Sequence, residues 1–201
     1  MSELEELCRE IRNCQKCRLA QGRTNAVPGA GPEDADIIFV GEAPGFHEDQ
    51  QGLPFVGAAG SYLDELLASI NLSREKVYIA NIIKCRPPNN RDPREEEIRA
   101  CQPYLDRQIE LISPKIIVTL GRFSMRLAWR DVRISRIHGR PKRIDDVIYY
   151  PVFHPAAALH QPKYRSMIEQ DFRKIPEILA DIHSVRESDR PEPPAEQMSL
   201  F

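Results

Sequence analysis

Four apolar residues, Ile37-Ile38-Phe39-Val40, run straight into Gly41-Glu42-Ala43-Pro44-Gly45. A short continuous apolar run stopped by turn residues predicts a strand buried on both faces, as in a parallel sheet covered by helices. Glycine lets a backbone come close to a ligand, and proline stiffens the turn that follows. Open α/β sheets bind ligands at the carboxyl ends of their strands. Glu42 is therefore placed for chemistry, and the competing explanation is an ordinary solvated carboxylate on a turn.

The rest of the chain repeats the pattern. Apolar residues at helical spacing predict a helix over 3–13, another over 59–70 and a third from Asp92-Pro93 to about 112. Strands are predicted at 36–40, 77–83, 115–120 and 147–153, a helix from Gly121 to about 129, and a last helix over 164–183. The segment from Phe46 to Gly57 reads as a loop. Strands alternating with helices imply a three-layer α/β/α sandwich around a mainly parallel, four-stranded sheet. One domain is expected over 1–183, and the proline-rich, polar segment 184–201 is expected to be a disordered tail.

The 201 residues carry a formal net charge of -2, so total charge does not announce a nucleic-acid partner. No apolar run is long enough to cross a membrane, and the acidic N-terminus lacks a signal-peptide pattern. A cytoplasmic monomer is expected. Charge is unevenly spread, however. Arg122, Arg126, Arg130, Arg133, Arg136, Arg140, Lys142 and Arg143 face only Asp131 within 122–143, and Arg86, Arg91 and Arg94 form a second basic patch. Phosphate contacts are one use of such a stripe, and a solvated helix face is the other.

Five cysteines in a reducing compartment suggest a metal or cluster framework before disulfides. Cys14 and Cys17 form C-x-x-C, and Cys85 and Cys101 a wide second pair. Four thiolates suit zinc or iron–sulfur. A zinc ribbon prefers two tight knuckles, so the wide pair tilts the reading towards a [4Fe–4S] cluster. Cys8 lies on an apolar helical stripe and reads as a core residue. A redox role and simple stapling of the N-terminus remain alternatives for such a cluster.

His154 follows the strand at 147–153, and Asn81 lies near the end of another. Both can face the crevice beside Glu42. Imidazole donates well to a developing anion, and an amide can read a pyrimidine edge. Phe55 is suited to stacking on a flat ligand, and Leu159 to acting as an apolar wedge. A polar strand residue and a core aromatic are the plainer readings of Asn81 and Phe55.

Gly41-Glu42-Ala43-Pro44-Gly45, Gly52-Leu53-Pro54-Phe55-Val56-Gly57, Asn81 before Lys84-Cys85-Arg86-Pro87-Pro88, and His154-Pro155 together resemble the family 4 uracil-DNA glycosylases. The resemblance covers about 5–180. It implies an enzyme of base excision repair that hydrolyses the N-glycosidic bond of deoxyuridine in DNA and leaves an abasic site. It implies Cys14, Cys17, Cys85 and Cys101 as ligands of a structural [4Fe–4S] cluster. It also implies a uracil pocket of Gly41, Glu42, Ala43, Phe55, Asn81 and His154, with Glu42, His154 and Asn81 catalytic and Glu48 a weaker candidate for orienting water. Arg86, Arg91, Arg136, Arg140 and Leu159 are the expected DNA contacts. Asn89 stands about where the family has glycine. A cross-linking relative's histidine-bearing insertion has no counterpart in 87–93, so no covalent trapping is expected. An iron–sulfur electron-transfer protein and a non-catalytic nucleic-acid module are the alternatives. Neither requires Glu42, Phe55, Asn81 and His154 together.

The last residues, Gln197-Met198-Ser199-Leu200-Phe201, resemble the short peptide with which bacterial repair proteins dock on the DNA sliding clamp. In such peptides Gln197 would enter a small polar pocket and Leu200 with Phe201 an apolar one.

Overall fold

The computed structural model describes residues 1–182. The expected tail, with Gln197, Leu200 and Phe201, lies outside the described residues. Five strands form one sheet: β1 (Ile37–Gly41), β2 (Tyr78–Asn81), β3 (Ile116–Leu120), β4 (Lys142–Ile144) and β5 (Val147–Val152), in the order β2-β1-β3-β5-β4. All pairings are parallel except β4 with β5. The expected four strands are thus corrected to five. The added strand is a three-residue antiparallel edge, Lys142-Arg143-Ile144, too short and too polar to show in apolar patterning. At the other edge, Ala30 bridges Ile79 antiparallel, so a loop shields the outer side of β2.

Helices cover both faces. They are α1 (Glu3–Asn13), α2 (Leu19–Gly22), α3 (Phe46–Gln51), α4 (Ala58–Ser69), α5 (Glu95–Ile112), α6 (Ile134–Ile137), α7 (Pro155–His160) and α8 (Lys163–Ala180). Side chains alternate across a strand, so β1 serves two cores. Ile37 and Phe39 pack with Leu63, Leu66 and Leu67 of α4 and Ile168, Phe172 and Ile175 of α8. Ile38 and Val40 pack with Leu4, Leu7 and Ile11 of α1 and Leu105 and Ile112 of α5. This is why the β1 run is apolar without a break.

Two local expectations differ from the structure. The segment expected as a loop from Phe46 contains α3, whose six residues are too few and too polar to show periodicity. The helix expected from Gly121 is only a 3-10 turn, Ser124–Leu127. His154 is followed directly by α7, for which it is the N-cap and Pro155 the first helical residue. Asn89 has φ +54°, the left-handed conformation that glycine takes freely and asparagine tolerates. Among the described residues no helix is long and apolar enough to cross a membrane.

Candidate active site

The chain leaves β1 towards β2 on one side and returns to β3 on the other, so the carboxyl ends of β1 and β3 form a topological switch point. A cleft of about 340 Å³ opens at this end of the sheet. Its walls include Glu42 and Ala43 after β1, Phe55, Asn81 at the end of β2, and His154 after β5. The structure therefore brings Glu42, Ala43, Phe55, Asn81 and His154 together from four separate stretches of chain. Glu48 and Arg91 also line this cleft.

Gly41 sits beneath it. A Cβ there would lie 2.4 Å from Asn81 Oδ1 and 2.8 Å from the Phe55 ring, so glycine is what lets those two side chains close over the end of β1. Gly41 and Asn81 are register partners across the parallel pair, which fixes the amide beside the β1 turn. Asn81 is 2% exposed, and its side-chain amide has no hydrogen-bond partner among the described residues. An unmatched amide at the wall of a cleft is set to pair with a ligand.

Phe55 has φ +53°, a strained conformation for an aromatic residue. Arg74 holds it there. Its guanidinium donates to the carbonyls of Pro54 (2.9 Å), Phe55 and Gly60 (3.5 Å), while Nε pairs with Asp64 at 2.6 Å. Gly60 permits the approach from below, because a Cβ would lie 1.7 Å from the Phe55 carbonyl oxygen. The Phe55 ring then stacks on His154, with centroids 5.5 Å apart and 25° between planes.

Glu48 is spent on the loops. Its carboxylate accepts from the backbone N–H groups of Gly45 (3.1 Å), Val56 (2.9 Å) and Gly57 (3.0 Å), tying the turn after β1 to the Phe55 loop. Glu42 differs: its carboxylate has no hydrogen-bond partner among the described residues. Burial raises its pKa, the Asp92 charge adds to that, and the Arg122 charge opposes it.

His154 Nδ1 accepts from the Ala156 N–H at 3.2 Å, so the neutral ring carries its proton on Nε2. Burial lowers its pKa to about 4, with the Glu48 charge opposing. A proton on Nδ1 would confront the Ala156 N–H, which works against the charged ring in the same direction.

Behind Asn81 lies a buried polar chain. Lys84 Nζ donates to the Asn81 carbonyl (2.8 Å) and to Gln108 Oε1 (2.6 Å), and Gln108 Nε2 donates to the Pro28 carbonyl and the Tyr78 hydroxyl. The Lys84 N–H points at Cys101 Sγ at 3.3 Å. These bonds fix the end of β2 from behind. Sequence reasoning missed Lys84, Gln108 and Arg74. Long polar side chains are ordinarily exposed, and nothing in their spacing marks them as buried or clamped. The tie through Glu48 was legible in principle, because Gly45 and Glu48 have capping-box spacing.

All five cysteines are free thiols. Cys14 and Cys17 pack against a core that contains Cys85 and Cys101. Burial pushes the Cys85 thiol up; the Arg23 hydrogen bond (3.0 Å) opposes, and Cys17 and Cys14 add to the rise. Burial pushes Cys101 up to about 11, with Lys84 opposing and Cys85 and Cys17 adding. The four sulfurs are therefore electrostatic neighbours. The Lys16 N–H also points at Cys14 Sγ at 3.4 Å. Among the described residues no three Cys, His, Asp or Glu side chains converge to hold a metal ion. Cys8 stands apart, its sulfur 3.9 Å from the Tyr78 hydroxyl.

The basic stripe divides. Arg122 pairs with Asp92 at 2.5 Å, Arg126 with Glu95 at 2.7 Å and Arg143 with Asp146 at 3.7 Å. Arg130, Arg133, Arg136 and Arg140 make no ion pair among the described residues. Arg91 makes a bidentate pair with buried Glu97, at 2.9 and 2.5 Å. Arg86 Nε donates to Asn90 Oδ1 at 2.7 Å. Leu159 on α7 is 50% exposed.

Comparison with known proteins agrees with this arrangement. The model of the uracil DNA glycosylase superfamily matches residues 28–180. A type-4 uracil-DNA glycosylase of Sulfurisphaera tokodaii is 50% identical over 188 residues, covering 89% of this chain and 86% of that protein. One from Saccharolobus solfataricus is 48% identical over 190 residues, with 90% and 88% covered. One from Archaeoglobus fulgidus is 50% identical over 187 residues, with 89% and 94% covered. With a family model over most of its length and relatives near half identity across it, the chain belongs to the type-4 uracil-DNA glycosylases of the uracil DNA glycosylase superfamily.

Proposed function

We propose that this chain hydrolyses the N-glycosidic bond of deoxyuridine in DNA, releasing uracil and leaving an abasic site. The observation that carries the reading is the single cleft lined by Glu42, Phe55, Asn81 and His154. Neither electron transfer nor passive nucleic-acid binding calls for that set. The base must leave the stack to enter the cleft. Phe55 stacks on the flipped uracil, and the Asn81 amide pairs with its polar edge. Cytosine presents a different donor and acceptor pattern there and leaves the buried amide mismatched, which is costly. The leaving group is a uracil anion. His154, neutral with Nε2 as donor, stabilises the oxygen on which charge develops. Glu42, whose carboxylate is unengaged, orients the attacking water and favours the cationic sugar. Glu48 acts through the loops it ties and is a positioning residue. The test is incubation with a uracil-containing oligonucleotide followed by alkaline cleavage. Cleavage at the uracil position is expected, and none on the matching thymine oligonucleotide.

The neutral imidazole has a consequence for pH. An ordinary histidine titrates near 6.5, whereas burial holds His154 at about 4. Uracil release is expected to stay level from about pH 8 to about pH 5.5 and to fall only below that, measured as single-turnover rate. The unfolded chain binds the extra proton between about 6.5 and about 4, so stability also falls as pH drops through that window. A midpoint of rate loss near 6.5 that is absent from the His154→Asn variant would overturn the assignment.

Cys14, Cys17, Cys85 and Cys101 fit an iron–sulfur cluster. The four thiols are neighbours in one core, and three of them face N–H donors. N–H groups aimed at sulfur are the usual support of a cluster's thiolates. When bound, such a cluster staples the segment after α1 to the loop after β2. DNA is gripped by Arg136 and Arg140, by Arg86 and Arg91 beside the cleft, and by Leu159 as a wedge into the gap left by the flipped base.

Gln197, Leu200 and Phe201 give a further partner, the bacterial sliding clamp. A tether of this kind raises local concentration at newly made DNA without altering the chemistry. Deleting 197–201 is expected to abolish clamp binding in calorimetry and to leave activity on a short oligonucleotide unchanged. Equal clamp binding by the intact and shortened chains would refute it.

A further inference from the structure

Gly45 and Pro87 both line the cleft. Their chain neighbours, Phe46 and Arg86, meet just outside. The Arg86 guanidinium carbon stands 5.1 Å from the centroid of the Phe46 ring, and Arg86 Nε is fixed by Asn90 Oδ1 at 2.7 Å. The His47 ring meets Phe46 edge-on, with centroids 5.5 Å apart at 79°. Phe46 is thus held by a cation above and a ring at its edge, yet remains 51% exposed. It opens α3, whose side of the turn is anchored by Glu48. A large apolar ring fixed in place while left half in water is poorly explained by packing, because it buries too little of itself.

We propose that Phe46, backed by Arg86, is a stacking platform for a second, unflipped nucleobase of the strand that enters the cleft. The inference rests on the reading that this cleft takes DNA. Stacking needs only a π-face, so the platform accepts any base and does not discriminate uracil. The guanidinium supports it twice, by polarising the ring from behind and by reaching a neighbouring phosphate. A duplex keeps its bases stacked on each other. The platform therefore serves unpaired DNA, and it favours a single-stranded substrate over a paired one.

The experiment uses the full chain and a fluorescently labelled, uracil-free single-stranded oligonucleotide, read by anisotropy. Phe46→Ala is expected to weaken binding about tenfold, the order of one stacked base. Phe46→Leu should lose nearly as much, and Phe46→Trp should retain affinity. The indole in Phe46→Trp should be quenched on binding, with Trp129 in the native chain as the baseline. The Phe46→Ala penalty should stay constant as salt rises, because stacking releases no counterions. Binding to matched duplex should change less than twofold. Native affinity in Phe46→Ala or in Phe46→Leu, a penalty that fades with salt, or equal losses on duplex and single strand would each overturn the platform. If Phe46→Ala fails to fold, the Leu and Trp variants, which keep the bulk, decide the matter. Because the oligonucleotide holds no uracil, the result stands apart from whether the chain releases uracil.

Discussion

His154→Ala is expected to lower the single-turnover rate of uracil release about 100- to 1,000-fold, the usual loss when one donor to a developing oxyanion is removed. His154 caps α7, and its Nδ1 is committed to the Ala156 N–H. The only proton the neutral ring has left is on Nε2. The Phe55 ring lies against one face of the imidazole and limits its rotation. A donor held by two independent contacts needs little reorganisation when charge appears on the base. Asn81→Ala should cost a similar factor, with a different pattern. It removes a contact made to the bound base as well as to the anion, so substrate affinity should fall along with the rate. The fold should survive both changes. The cap at His154 is one hydrogen bond, and Asn81 is held through its carbonyl by Lys84, a bond that alanine keeps. Single-turnover rates within a few-fold of wild type, with unchanged unfolding curves, would remove both residues from the chemistry.

How much of this site the sequence reveals depends on which force places each residue. Residues at the ends of apolar strands were legible. Glu42 and His154 stand where an apolar run stops and Asn81 near the end of one, and parallel sheets gather such ends on one side. The two-sided burial of β1 was legible for the same reason, since no polar residue interrupts Ile37-Ile38-Phe39-Val40. Phe55 was legible as a candidate only. Its left-handed backbone, the Arg74 clamp and the close contact under Gly60 arise from loop packing, which no local pattern encodes. The short strand β4 failed to show because two of its three residues are Lys142 and Arg143, whose charged ends are taken up by the Ala128 carbonyl and by Asp145 and Asp146. The basic stripe was legible as charge but not as availability. Arg122 and Arg126 are neutralised by Asp92 and Glu95, acids about thirty residues earlier in the chain, whereas Arg136 and Arg140 are not. The choice between Glu42 and Glu48 also needed the fold. Both are acidic residues near a glycine turn, and only the backbone N–H groups of Val56 and Gly57 reveal that one of them is already engaged.

The cysteines carry the other large expected effect. Protein prepared without oxygen is expected to be brown and to hold iron, and Cys101→Ser or Cys85→Ser should lose most of that iron. The loss should also lower the unfolding temperature by about 10 °C or more. Losing a structural metal ranks among the few changes that exceed ~4 kcal/mol, and ~1 kcal/mol moves the midpoint by ~2–4 °C in a chain of this size. The physical reason is the placement of the four thiols. Cys14 and Cys17 follow α1, which reaches the sheet through Leu4, Leu7 and Ile11, while Cys85 and Cys101 belong to the loop after β2 and to α5. Cys14 and Cys17 are half-buried and Cys85 and Cys101 buried, so a group bound among them ties the segment after α1 to the loop after β2 and to α5. Burial holds the Cys85 and Cys101 thiols protonated, so their conversion to thiolates depends on a cation being present to stabilise the charge. Activity should fall as well, since the Lys84 N–H bonded to Cys101 belongs to the residue that props Asn81. Cys8→Ser serves as the control. Its sulfur faces the Tyr78 hydroxyl and not the other four, so iron content should remain that of wild type. Zinc in place of iron in the anaerobic preparation, or full iron in Cys101→Ser, would refute the cluster; iron lost from Cys8→Ser would refute the choice of ligands.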